Sequence, residues 1–267
     1  MIHPRCVPNR VKPRRAGATP GLGFTLVELL VVVSIIALLI AILLPSLKGA
    51  RAQAKQTLCL NNCHQMAIAM QQYSLDHRDH FPASGGHGNP SEDPEGWWLN
   101  ILARYVNTPE LFRCPEDKAK NFVDWNVIDW EDFSQEEKDE LEEQHWGSYA
   151  LNYLFVKEPD PFCENMGRIR QPASAIVVSE APTEWKGADH THPEKFLDNW
   201  PELPKRLLAG DRHRGQSNYI FADGHVESLS YKNTLNPRDR CLWDPATAPA
   251  WSEAMEDAPP PPPPPGP

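Results

Sequence analysis

From Phe24 to Leu44 the chain runs 21 residues with a single ionisable side chain, Glu28. As a helix rising ~1.5 Å per residue this stretch is ~31 Å long, about one hydrocarbon core. It is therefore expected to span a bilayer, and the remaining chain must be arranged around that anchor. Ahead of it stand Arg5, Arg10, Lys12, Arg14 and Arg15 with no acid. Basic flanks are retained on the cytoplasmic side, so the bulk of the chain is expected to face outward.

Two ordinary explanations of such a start fit poorly. A secretory signal has an apolar region of roughly 7–15 residues followed by a small-residue cleavage site. Here the run is too long, and Ile42-Leu43-Leu44-Pro45 offers no such site. An uncleaved anchor explains the length but leaves Glu28 without a purpose. A carboxylate near hydrocarbon costs up to about 3 kcal/mol on insertion scales, so an acid there is expected to have a partner.

The segment Gly23-Phe24-Thr25-Leu26-Val27-Glu28-Leu29-Leu30 resembles the start of the type IV pilin-like family, which includes pilins and the pseudopilins of type II secretion. The shared features are a Gly before the cut, Phe first and Glu fifth in the mature chain, a leucine-rich and β-branched helix, and Pro45. The resemblance implies that a prepilin peptidase cuts after Gly23 and methylates the new amine of Phe24, while the apolar helix stays on the protein. It also gives Glu28 a role. In a staggered bundle its carboxylate faces the Phe24 ammonium of the next subunit, and each neutralises a poorly solvated charge. The alternative is a Glu28 that snorkels to the headgroups unpaired.

Removing the five basic leader residues takes the whole-chain charge from −10 to −15, which disfavours nucleic acid as a partner. Beyond the membrane helix roughly 220 residues remain, enough for one domain with a real core. After processing five cysteines are left, Cys59, Cys63, Cys114, Cys163 and Cys241, and an oxidising exterior permits bridges among them. Cys59 and Cys63 sit beside His64 at the spacing of a metal pair. Yet Cys59, Cys63, Met66, Met70 and Tyr73 follow the 4-3-4-3 spacing of a buried helix stripe, and core packing is the preferred reading of Cys63. Cys59 is instead a candidate to reach Cys114 as a disulfide.

Helical pattern continues through Pro45 to about His77, with Pro45 expected to kink it. Residues 81–94 read as a loop, Glu95 to Tyr105 as a short helix with one apolar side, and Ala175–Ser179 as a buried strand. The acidic stretch Asp124–Gln144 has capping-box spacing at Ser134 and Glu137 for a surface helix. Lys186–Lys205 reads as an irregular loop. Asp257–Pro267 is acidic and then Pro-rich, an extended tail without a core.

A second informative segment runs from His213 to Val226. Ser217–Ala222 and His225–Leu229 are β-rich runs separated by Asp223-Gly224, the strongest short hairpin signal. The segment resembles the C-terminal signature of a bacterial prepilin-like subfamily, His followed by nine residues and Asp-Gly, matched here by His213, Asp223 and Gly224. Cys59-Leu-Asn-Asn, Phe81-Pro82, Cys114-Pro115 and Ser148-Tyr149 agree with that subfamily. His213, Asp211, Asp223 and His225, with His190 and His192, are also residue types that hold divalent metals. Hairpin structure is the preferred reading, with His213 pairing a carboxylate as a middle position. Some pseudopilins bind calcium, but no EF-hand-like spacing occurs here.

The expected architecture is α+β: a leader at 1–23, a transmembrane helix at 24–44, its exposed continuation at 45–78, an exported domain at 79–245 and a tail at 246–267. The helix is expected to pack on a small antiparallel sheet. The expected role is a filament subunit, not an enzyme, held in a bacterial inner membrane with its N-terminus cytoplasmic and its C-terminal domain periplasmic or extracellular. Partners implied by the resemblance are the prepilin peptidase, other pilin-like subunits, the inner-membrane assembly machinery and lipid. No cofactor is expected, with calcium or another divalent metal as the exception. The rival is an anchored module that binds carbohydrate or peptide with Trp-rich loops and does not polymerise. A metal-dependent enzyme on an anchor is the weaker third.

Overall fold

Helix α1 runs from Leu26 to Asp76, 51 residues, unbroken through Pro45. The computed structural model describes residues 25–82, 97–106, 108–120, 122, 144–145, 147–155, 165–169, 171–185, 190–191, 193, 196, 208–210, 212–236 and 240–243. The expected helix near Ser134–His145, nearly all of the 186–205 loop and the Pro-rich tail lie outside them, apart from isolated residues.

The chain divides into two units, Met1–Lys48 and Gly49–Pro267. In the first, α1 is long and apolar enough to cross a membrane. Every Leu, Ile and Val from Leu26 to Leu47 is exposed on it, on all sides of the helix. An all-round apolar helix belongs in lipid or against other apolar helices.

In the second unit α1 becomes one-sided. Cys59, Cys63, Met66, Ala67, Met70 and Ser74 are buried and Tyr73 is half-buried, so the 4-3 stripe is the seam facing the sheet. Helix α1 ends where Arg78 and Asp79 both take positive φ, 58° and 64°. The Asp79 N–H bonds the Ser74 carbonyl at 2.9 Å, a C-terminal cap made without glycine.

The short helix α2, Trp98–Ala103, lies inside the expected 95–105 segment. Five strands form one sheet: β1 Tyr149–Asn152, β2 Ile176–Glu180, β3 His190–Thr191, β4 Ser217–Phe221 and β5 Val226–Leu229, in the order β3-β1-β2-β4-β5. The neighbours from β1 to β5 are antiparallel, but β3 pairs parallel with β1. The sheet is thus mixed where an antiparallel one was expected, and β3 falls in a segment read as irregular. Its two residues carry no strand pattern of their own. The tail of the fold adds helix α3, Tyr231–Thr234, and the pair β6 Leu235–Asn236 with β7 Arg240–Cys241.

Both faces of the sheet are covered. On one, Val177, Val178 and Ile220 join the α1 stripe, Trp97, Trp98, Leu99 and Phe112. On the other, Ile176, Tyr219 and Phe221 meet Phe196, Leu208, Tyr231, Leu242 and Trp243. A register shift between Ile176 and Val178 lets two successive valines serve the helix-side core.

Candidate functional site

At the head of α1, Thr25 and Glu28 hold each other. Glu28 Oε2 accepts from the Thr25 N–H at 2.8 Å and from Thr25 Oγ1 at 2.7 Å, while the Glu28 N–H donates to Thr25 Oγ1 at 3.2 Å. This is a capping box, Thr at the N-cap and Glu three residues on, satisfying two donors that a helix start leaves orphaned. The acid therefore has a local task besides any intersubunit one, and the Thr-x-x-Glu spacing that signals it is visible in the sequence. Gly23 and Phe24 lie outside the described residues.

The His213–Gly224 segment folds as two turns separated by one strand. Arg214 and Gly215 take φ of 56° and 85°, and His213 and Gln216 exchange backbone bonds of 2.9 and 3.2 Å around them. Strand β4 follows, and then Ala222-Asp223-Gly224. Gly224 N–H bonds the Phe221 carbonyl at 2.9 Å, Phe221 N–H bonds the His225 carbonyl at 3.0 Å, and of the three loop residues only Gly224 takes positive φ, +88°. The hairpin is as expected, but its loop has three residues with glycine in the bulge position, and not a two-residue Asp-Gly turn. Asp223 Oδ1 caps the His225 N–H at 3.0 Å and pairs the same residue's ring.

The nine-residue spacing thus spans one strand between two turns and sends His213 and Asp223 to opposite ends of it. His213 does not join Asp223 and His225. Of the other proposed ligands, His190 lies buried in β3, and Asp211 and His192 are outside the described residues.

What His213 joins is Cys59, Cys114 and Glu180, all buried, with their ligand-type atoms within 4.8 Å of one another. His213 Nε2 lies 2.9 Å from Glu180 Oε1 and 3.4 Å from Cys114 Sγ. Cys59 Sγ lies 3.1 Å from Glu180 Oε1 and 3.1 Å from the Tyr149 hydroxyl. The second oxygen of Glu180 is occupied: Oε2 accepts from Ser217 Oγ at 2.8 Å and the Asn218 N–H at 3.0 Å. Cys59 and Cys114 are brought together as expected for a disulfide pair, but both are free thiols here, as is Cys63.

Four distant parts of the chain build this cluster. Cys59 comes from the α1 stripe, Cys114 follows the 3-10 turn Pro109–Phe112, Glu180 ends β2 opposite Tyr149, and His213 precedes the turn into β4. Sequence reading missed Glu180. Its only signal was an acid closing the otherwise apolar run Ala175–Ser179.

Charge is concentrated around it. Burial opposes ionisation of Glu180, yet the His213 hydrogen bond and the Arg212 guanidinium outweigh burial and bring its pKa down to about 2. Burial likewise disfavours imidazolium at His213, but the contacts with Cys114 and Glu180 raise its pKa to about 10. Burial pushes the Cys114 thiol far up. Beside them Arg212 bridges Asp117 Oδ2 at 3.1 Å and Glu180 Oε1 at 3.8 Å, and donates to the Ala181 carbonyl at 2.6 Å. Buried ions are stable only when paired in this way.

The described tryptophans do not form an open ligand platform. Trp97, Trp98 and Trp243 are buried in the cores, and only Trp185 is partly exposed.

Residues 48–112 match a family described as proteins of unknown function (DUF1559). Over 58 residues the chain is 38% identical to the type IV wide pilus major component PilA4 of Thermus thermophilus, an alignment covering 22% of this chain and 44% of that protein. The match therefore spans less than half of its relative's length. No solved structure matches. With the long N-terminal helix and small sheet, these likenesses make the chain pilin-like.

Proposed function

We propose that this chain is a prepilin-like structural subunit, cut after Gly23, methylated on Phe24, and assembled through α1 into a pseudopilus or pilus-like filament. The observation that carries the reading is the stretch of α1 from Leu26 to Leu47, apolar around its whole circumference and charged only at Glu28. Such a surface is stable in lipid, and equally stable when neighbouring copies bury one another outside it. The relative from Thermus thermophilus, itself a pilus component by its description, supports the same reading.

Glu28 keeps its assembly role alongside its cap. Both Thr25 donors fall on Oε2, so among the described residues Oε1 takes no donor. After processing, an ammonium at Phe24 of the next subunit is the complementary group. The subunit sits in the inner membrane with its N-terminus cytoplasmic, is processed there by a prepilin peptidase, and leaves with the help of an assembly machinery.

The test is the intact mass of the membrane-extracted protein combined with crosslinking from positions near 24 and 28. A mature mass beginning at methylated Phe24, with crosslinks between subunits, is expected. An intact leader, or anchors that never crosslink, would overturn the reading in favour of a monomeric anchored module.

A further inference from the structure

We propose that Cys59, Cys114, Glu180 and His213 bind one zinc ion that clamps α1 to the sheet. Two sulfurs, one imidazole nitrogen and one carboxylate oxygen are a zinc donor set, whereas calcium requires a cage of oxygens. Tetrahedral zinc with its usual bond lengths separates neighbouring ligand atoms by roughly 3.3–3.8 Å. The closest pairs here, at 2.9, 3.1 and 3.4 Å, stand near that geometry before any adjustment to an ion.

The contacts converge on one point in the core. His213 Nε2 has one proton or one lone pair, yet it faces both Cys114 Sγ and Glu180 Oε1. Glu180 Oε1 faces Cys59 Sγ as well. Four donor atoms within 4.8 Å of one another can also close around a single cation.

The surroundings complete the site. Ser217 and Asn218 hold Glu180 Oε2, leaving Oε1 as a single ligand atom. His213 Nδ1 is buried and, among the described residues, has no hydrogen-bond partner, with Glu116 Oε2 at 3.9 Å. A carboxylate that hydrogen-bonds the second nitrogen of a metal-bound imidazole fixes the ring, and Glu116 would have to move closer to do so. The Tyr149 hydroxyl donates to Cys59 sulfur once it is thiolate. A zinc dication here would be held by two thiolates, one carboxylate and a neutral imidazole, each cysteine giving up its proton as the ion binds. The centre then carries one negative charge, facing Arg212.

The ligands are separated by stretches of 33 to 66 residues, so an ion would close long loops at one point and stabilise the domain accordingly. This clamp does not depend on whether the chain polymerises.

The full-length chain, extracted from membranes in detergent without chelator and kept reduced, is assayed for metal and then exchanged with cobalt(II). About one zinc per chain is expected, with the visible bands and thiolate-to-cobalt charge transfer of a tetrahedral site. Cys114→Ser and His213→Gln should lose most of the metal while retaining helical circular dichroism. If either variant fails to fold, the cobalt spectrum of the unaltered chain decides by itself. Reduced protein that takes up neither zinc nor cobalt, or chain isolated without reductant in which peptide mapping finds Cys59 joined to Cys114, would overturn the inference.

Discussion

Gln71 Nε2 donates to the Asp223 carbonyl at 2.7 Å, and the bond forms because the next residue has no side chain. A Cβ on Gly224 would stand 2.0 Å from Gln71 Nε2, and the backbone there is at φ +88°. The end of the hairpin is thus pinned to α1 at a position where glycine is required twice, for its conformation and for the close approach.

Gly224→Ala is expected to destabilise the domain by about 1–3 kcal/mol, from strained backbone together with the displaced Gln71. Gln71→Ala alone should cost about 1 kcal/mol. In the double variant the amide is already gone, so the two effects should add to less than their sum. Chemical denaturation of the four proteins checks this, and strict additivity would show that the two residues are not coupled.

Glu28 can be separated into cap and connector. If it only caps α1, Thr25→Ala and Glu28→Ala break the same box and should behave alike, each costing about 1 kcal/mol of helix start. If it also meets an amine, Glu28→Ala loses intersubunit crosslinks near position 24 while Thr25→Ala keeps most of them. Parallel crosslinking of both variants in membranes gives the answer, with insertion followed as a control.

The features legible in the sequence were those written locally. The apolar run, the 4-3 stripe from Cys59 to Met70 and the β-rich runs beside Asp223-Gly224 depend on neighbours within a few residues. The hairpin loop was misjudged because Asp-Gly fits two turns, and the register of Ile220 with Val226 selects the three-residue one. β3 and the Glu180 cluster were not legible for a different reason. His190–Thr191 pairs only because β1 lies beside it, and Glu180 acquires partners from three segments far away in sequence. Nothing near Glu180 in the chain announces them.

Asp117 should make the domain sensitive to acid. Burial opposes its charge, but the His145 contact, the Arg212 guanidinium and the Ala119 N–H outweigh burial and hold its carboxyl well below the usual range. A carboxyl depressed on folding contributes stability that is complete above its unfolded pKa of ~3.9. That contribution is lost as pH falls from there toward the folded value. Asp117→Asn should therefore flatten the decline in stability below about pH 4. It should also cost roughly 3 kcal/mol at neutral pH by removing the nearer of the two carboxylates that pair the buried Arg212, leaving Glu180 at 3.8 Å. Denaturant midpoints measured across the acid range read both effects, and an unchanged pH profile would remove Asp117 as their source.

Trp243 tests whether the outer layer is part of the same cooperative fold. Its ring meets Phe196 and Tyr219 edge-on at centroid distances of 4.8 and 5.8 Å, and its Nε1 donates to Thr234 Oγ1 at 3.0 Å. Its carbonyl accepts from Asn152 Nδ2 at 2.8 Å, and that amide also bonds the Ile176 carbonyl at 2.8 Å. One side chain from β1 therefore ties β2 to the Leu242–Trp243 segment that covers it. Trp243→Ala should cost about 3–5 kcal/mol through the cavity it leaves. Trp243→Phe should cost less, since it keeps the aromatic contacts and gives up the bond to Thr234, worth about 1 kcal/mol. If the outer layer were an independent appendage, Trp243→Ala would leave unfolding of the α1 core unchanged. Hydrogen exchange of the α1 amides between Cys59 and Met70, followed against denaturant in the variant, distinguishes the two, because only a shared fold carries the loss across the sheet.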